Sequence, residues 1–124
     1  MAKILNLTQH VATTEQIACG VVEPTDKKQI QKLLTFDELP TTVELELRAF
    51  ALASAAKDDP GFEGPVMIGG APYFMATLEH TLRAFGIRAL HAFSRRESID
   101  EVQTDGSIKK TQVFRHAGFI EVKG

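Results

Sequence analysis

Val66-Met67-Ile68-Gly69-Gly70-Ala71-Pro72-Tyr73 decides the fold. A short apolar run enters two glycines, and a strongly helical segment leaves them (Tyr73 to Phe85). The order is strand, glycine turn, helix. Glycine lets the backbone turn sharply and lets a ligand approach it closely. Proline suits the first helical position, where its missing N–H costs nothing. The helix then turns its free N–H groups and the positive end of its dipole toward the mouth of the turn, a setting for a phosphate or carboxylate. The same two glycines also fit a plain tight turn. They do not complete a dinucleotide fingerprint, and no Gly-Lys-Ser/Thr follows to make a P-loop.

Working outward, Phe74, Leu78, Leu82 and Phe85 recur at helical spacing and stop at Gly86, and Ile87 to Phe93 reads as the next strand. Val66 to Phe93 spans about 28 residues, close to the ~30 of a βαβ unit with parallel strands. Upstream, Lys3 to Leu7 reads as a first, buried strand. Thr13 with Gln16 has capping-box spacing for a short helix from about Thr14, ended by Gly20. Thr25 to Leu34 reads as a second helix. A third runs from Thr42 to Ala56 behind a Thr41/Glu44 capping box. Leu45, Ala49, Leu52 and Ala56 form its stripe, and Val43, Leu47 and Phe50 widen it, which predicts burial around much of the helix. Downstream, Ser94 to Ser98 is polar. Asp105-Gly106 then separates two strand-like runs, Ile99–Thr104 and Ser107–Phe114, a strong hairpin signal. Phe119 to Val122 reads as one more short strand. The expectation is a single α/β domain over residues 1–124: a small Rossmann-like open sheet, mainly parallel, with a C-terminal β-hairpin.

Composition narrows the functions. The chain has 124 residues, is 44% hydrophobic and 24% charged, and carries a formal net charge of −2. That suits one domain with its own core and argues against nonspecific nucleic-acid binding, which favours strongly basic surfaces. Cys19 is the single cysteine, so an intramolecular disulfide and a cysteine-rich zinc site are both excluded. The histidines show no metal-ligand spacing, and neither a metal nor a cofactor is expected. No leader is expected at Met1-Ala2-Lys3, and no apolar run reaches membrane-spanning length. A cytoplasmic location without membrane contact is the expectation.

Ligands of open parallel sheets gather beyond the carboxyl ends of the strands. The residues after the three predicted strands are Thr8, Gln9 and His10, then Gly69, Gly70, Ala71 and Tyr73, then Ser94, Arg95 and Arg96. Together they offer hydroxyls, an amide, an imidazole, backbone donors and two guanidinium groups, a set that suits an anionic nucleotide-type ligand. The expected ligand-binding residues are Thr8, Gln9, Gly69, Gly70, Ala71, Tyr73 and Ser94. For catalysis, His10 is the proton-transfer group, with Arg95 and Arg96 stabilising charge on an RNA-like phosphodiester that carries its own 2′-hydroxyl nucleophile. Plainer readings stand beside these: His10 as a turn residue, Arg95-Arg96 as a solvated pair, His91 as a core histidine and His80 as a surface one. Arg115-His116 has no direction fixed by its neighbours.

Ile4-Leu5-Asn6-Leu7-Thr8-Gln9-His10, followed by Thr14-Glu15-Gln16 and then by the strand, Gly/Pro turn and long helix of Val66 to Phe85, resembles the small CRISPR-associated Rossmann-like (CARF) proteins and the stand-alone ring nucleases among them. The likeness covers the layout of roughly the first 95 residues. It implies a homodimer in antiviral defence that binds a cyclic oligoadenylate across its two-fold axis, with or without slow, metal-independent cleavage. Thr8–His10 and Gly69–Tyr73 would line the ligand. A different class also fits: a protein-interaction module or inhibitor, of the mobile-element type, acting through the hairpin or a sheet edge. An enzyme acting on a small carboxylate metabolite is the third reading.

Overall fold

The computed structural model describes residues 2–123; Met1 and Gly124, the ends of the expected domain, lie outside them. The elements run β1 (Ile4–Leu7), α1 (Thr14–Ala18), β2 (Val21–Val22), α2 (Lys27–Leu34), α3 (Thr42–Asp58), β3 (Pro65–Ile68), α4 (Pro72–Ala84), β4 (Arg88–Val102) and β5 (Ile108–Glu121). The fold is α/β, with a curled five-stranded sheet of order β2-β1-β3-β4-β5. The β1–β2, β1–β3 and β3–β4 pairs are parallel, and β4–β5 is antiparallel. The strand–glycine turn–helix–strand unit forms as the sequence predicts. β2, two residues long, went unread between Gly20 and Pro24.

Local chemistry sets the helix ends. Thr13 accepts from the Gln16 N–H while the Gln16 side chain accepts from the Thr13 N–H, a complete capping box. At Thr41 only half of the expected box forms. Thr41 accepts from the Glu44 N–H, but the Glu44 carboxylate accepts from Arg48 Nη2 at 2.8 Å instead of turning back. Ala71 caps α4 without a side-chain bond, and Pro72 stands in the first turn, so that terminus keeps unbonded N–H groups.

Alternation along the strands divides the core between two faces. Leu5, Leu7, Val66, Ile68 and Ala89 meet α2, α3 and α4 in the larger cluster. Ile4, Val21, Met67 and Leu90 join Ala12 on the other face, with Phe119 packed against them. The larger cluster is the main apolar driving force of the fold.

α3 departs from expectation. Ala49, Leu52, Ala53 and Ala56 are buried, but Val43, Leu47 and Phe50 are 63%, 65% and 59% exposed. Spaced at i, i+4 and i+7, they make an apolar stripe on solvent, because the sheet and α4 reach only one side of the helix.

The second departure is at the C-terminus. Ser94 to Ser98 is not a break after a strand: β4 runs on through it for 15 residues and pairs with β5 to Val102. Only Arg88–His91 pairs with β3. Beyond them β4 and β5 form a two-stranded arm, closed by Asp105-Gly106 with Gly106 at φ +88°, as the hairpin signal predicts. Phe119 to Glu121 belongs to β5 and is not a separate strand. Both faces of the arm meet solvent, so a polar run costs nothing there.

Phe74, fully buried between α4 and the sheet, and Phe50, on the exposed stripe, make a matched test. Phe74→Ala is expected to cost about 3–5 kcal/mol in urea unfolding and Phe50→Ala under about 1 kcal/mol. Equal losses would show that α3 buries its outer stripe in solution.

Candidate functional site

The chain leaves β1 in one direction for β2 and in the other for β3, so the order reverses between β1 and β3. At their carboxyl ends lies an open cleft of about 480 Å³, within the range of small-ligand sites. The β1 loop contributes Thr8, Gln9 and His10, the start of α1 contributes Thr13 and Gln16, and the turn before α4 contributes Gly69 and Gly70. Among the described residues its lining carries no carboxylate side chain.

The β1 loop is held from several sides. Asn6 is fully buried in an otherwise apolar strand. Its Nδ2 donates to the His10 carbonyl at 2.8 Å and to both Glu23 carboxylate oxygens at 3.1 Å. Its Oδ1 accepts from the Thr8 N–H at 2.9 Å and the Thr8 hydroxyl at 2.7 Å. Lys27 Nζ donates to the carbonyls of Thr8 and His10 at 2.7 and 2.9 Å and pairs with Glu23 at 3.2 Å. Gln9 Nε2 donates to Thr35 Oγ1 at 2.9 Å, and the Gln9 carbonyl accepts from Gln31 Nε2 at 2.8 Å. The Thr8 hydroxyl and the Gln9 amide thus secure the loop, and the exposed His10 lines the cleft.

The two glycines differ. Gly70 has φ +155°, a backbone region that side chains rarely adopt. Gly69 has no such angle, and a Cβ there would meet only Thr8 Cγ2 at 3.5 Å, an ordinary contact. Neither backbone conformation nor packing asks for glycine at 69; what its missing side chain leaves free is the cleft.

The other expected site residues are dispersed. Ala71 and Tyr73 do not line the cleft; Tyr73 is 56% exposed and stacks edge-on against Phe36 at 5.5 Å. Ser94, Arg95 and Arg96 lie within β4 at the root of the arm, and not beyond the end of a strand at Phe93 as the sequence suggests. Successive strand residues face opposite ways, so the two arginines separate. Arg95 stands opposite Arg115 on one face; Arg96 stands opposite Phe114 on the other, with its guanidinium 5.5 Å over that ring. His91 is half-buried, not a core residue: its Nε2 lies 2.7 Å from Glu79 Oε1 on α4. His80 is exposed, as expected. Sequence reading missed Asn6, Glu23 and Lys27. A polar residue inside Ile4-Leu5-Asn6-Leu7 was the available signal, since buried amides need partners.

An α/β protein with an open cleft of mixed polar and apolar lining, two glycines among it, at the reversal of its strand order is the class that this geometry defines. The chain belongs to the Uncharacterized protein MJ1673 family, whose family model matches residues 2–120. Searches of curated proteins and of solved structures found no match. No helix among the described residues is long and apolar enough to cross a membrane, and no group of three or more His, Cys, Asp or Glu among them is placed to hold a metal ion.

Glu23 gives the loop a pH dependence. Burial pushes its carboxyl up, but the Ala12 N–H, the Asn6 amide and Lys27 together outweigh burial and hold it below the usual glutamate value. A folded pKa below the unfolded one contributes stability above the unfolded value and loses it as pH falls through the folded one. Glu23→Gln should therefore melt below the unmodified protein at neutral pH, with the two midpoints converging in acid. A gap independent of pH would contradict this account of the loop.

Proposed function

We propose that this chain is a Rossmann-like, CARF-type protein that binds a nucleotide-type ligand in the cleft between β1 and β3, with a cyclic oligoadenylate as the first candidate. Gly69 carries the reading: it lies at the cleft, and its missing side chain leaves room there for a ligand to approach the backbone closely. The reversal of strand order supports it, because ligands of open α/β sheets bind at such a point. So does the first turn of α4, which has no side-chain cap and suits an anion.

The same site supports slow cleavage without a metal. The 2′-hydroxyl of the ligand attacks the adjacent phosphorus and gives its proton to the His10 imidazole. The new O2′–P bond forms as the P–O5′ bond breaks, leaving a 2′,3′-cyclic phosphate, and the 5′-oxygen takes up a proton from water. The backbone amides near Gly69 offset the charge that builds on phosphorus, joined by Arg96, which swings off the Phe114 ring from the root of the arm beyond the cleft. A homodimer belongs to this reading, and the exposed Val43, Leu47 and Phe50 stripe offers it an apolar surface.

The arm favours a second reading. A two-stranded ribbon by itself is marginal in water, and Val102, Ile108 and Phe114 are 77%, 63% and 65% exposed on it. Under this reading the arm docks on a partner protein, with Lys109, Lys110 and Arg115 at the rim of the contact.

Thermal melting against mono-, di- and cyclic oligonucleotides without added metal tests the first reading. A ligand that binds only the folded state adds about 2.7 kcal/mol at a hundredfold excess over Kd. A selective rise with cyclic oligoadenylate is expected, and Gly69→Ala should abolish it while leaving the ligand-free midpoint within about 3 °C, given the ~0.5 kcal/mol or less typical of unstrained surface changes. A flat panel would overturn the ligand reading and transfer the assignment to the arm.

A further inference from the structure

His116 has no task in the fold described so far. It stands in β5 opposite Ser94, half-buried, with its ring 4.8 Å from that of Phe119. Both Nδ1 and Nε2 are shut away from solvent, and neither has a hydrogen-bond partner among the described residues. An imidazole always has at least one N–H to donate. Buried polar atoms in folded proteins are nearly always paired, and an exception calls for a cause. If the ring served only to stack on Phe119, phenylalanine would serve as well without two unmet nitrogens.

Its position indicates the cause. Ala92 lines the cleft. Phe119 is the cross-strand partner of Ala92, and His116 lies on Phe119. Phe119 packs against the cluster that contains Met67, another residue of the cleft wall. Between Phe93 and Ser94 the register shifts, leaving Ala117 without a partner on β4. Such bulges increase twist and re-aim the side chains beyond them. Opposed residues share a face, so Ser94, His116, Arg96 and Phe114 form one surface at the root of the arm, on the side where Phe119 meets the sheet.

We propose that this surface adds a third wall to the cleft: on binding, His116 turns off Phe119 and donates a hydrogen bond to a phosphate oxygen of the ligand, while Arg96 pairs with its charge. This rests on the ligand reading given above and adds to it a residue that the strand-end reading did not include. It also assigns the two neighbouring arginines different roles, since Arg95 faces away from this wall.

The test uses the full chain, with cyclic oligoadenylate and adenosine monophosphate as probes and calorimetric binding beside thermal melting. His116→Phe is expected to melt at or above the unmodified protein without ligand, and to bind cyclic oligoadenylate about ten- to a hundredfold more weakly, the range for a lost hydrogen bond to a charged group. His116→Gln, which keeps a donor, should recover part of that loss. Arg96→Gln should weaken binding by a similar factor, and Lys109→Ala, near the far end of the arm, should not. A clear fall in the ligand-free midpoint of both His116 variants would show that the ring nitrogens serve the fold and would overturn the assignment. Unchanged affinity in both His116 variants would overturn it too and leave the cleft reading intact. Failure of the unmodified protein to bind either probe would overturn both.

Discussion

The amide of Asn6 ties the first strand to everything that gathers around the cleft. It is fully buried, and a buried amide without partners would cost the chain several kcal/mol. The loop after β1 supplies those partners: the Thr8 N–H and hydroxyl on one side, the His10 carbonyl and the Glu23 carboxylate on the other. To satisfy Asn6 the chain must turn back on itself at once, and that turn presents His10 at the carboxyl edge. Lys27 and Gln31, both from α2, then hold the same loop by its carbonyls. The loop is therefore as constrained as the strands it follows, which suits a binding wall that must keep its shape before a ligand arrives.

Facing this loop, the glycine turn opens the opposite wall, and the reversal of strand order keeps the two walls apart. The larger core cluster anchors β1 and β3 from below through Leu5, Leu7, Val66 and Ile68. The cleft thus stands on a packed base and is lined on the β4 side by His91 and Ala92, beyond which the exposed faces of the arm carry far less packing. A rigid pair of walls beside a lightly packed one is a setting in which a side chain such as His116 can change partner without disturbing the core.

What could be read in the sequence was local. Thr13 with Gln16, Pro72 at the head of α4 and Asp105-Gly106 at the hairpin tip each fix a neighbourhood of a few residues by a hydrogen bond or a backbone preference, and each formed where expected. What failed needed distant neighbours. Val43, Leu47 and Phe50 match the inward stripe of α3 in character, and only the placement of the sheet and α4 shows that they face out. Ser94 to Ser98 looked like a loop because strands are usually recognised by one buried face, and the arm has none. Of the three strand-end residue sets, Thr8 to His10 and Gly69-Gly70 come together at one cleft, since the carboxyl edge follows from parallel strands alone. The sets could not separate Arg95 from Arg96, because that depends on the pleat of a strand whose continuation was unread. Asn6 was visible as an anomaly, but its partner Glu23, and Lys27 that pairs with Glu23, come from beyond β2, an element too short to announce itself.

Amide chemical-shift mapping in solution, with cyclic oligoadenylate titrated into the full chain, bears most directly on the claim that the β1–β3 cleft is the binding site. The account predicts saturable shifts concentrated in Thr8 to Thr13, in Gly69 to Tyr73 and at the arm root around Ser94 and His116, with the tip around Asp105 and the outer stripe of α3 unmoved. Shifts confined to the arm tip or α3, or none at saturating ligand, would contradict it.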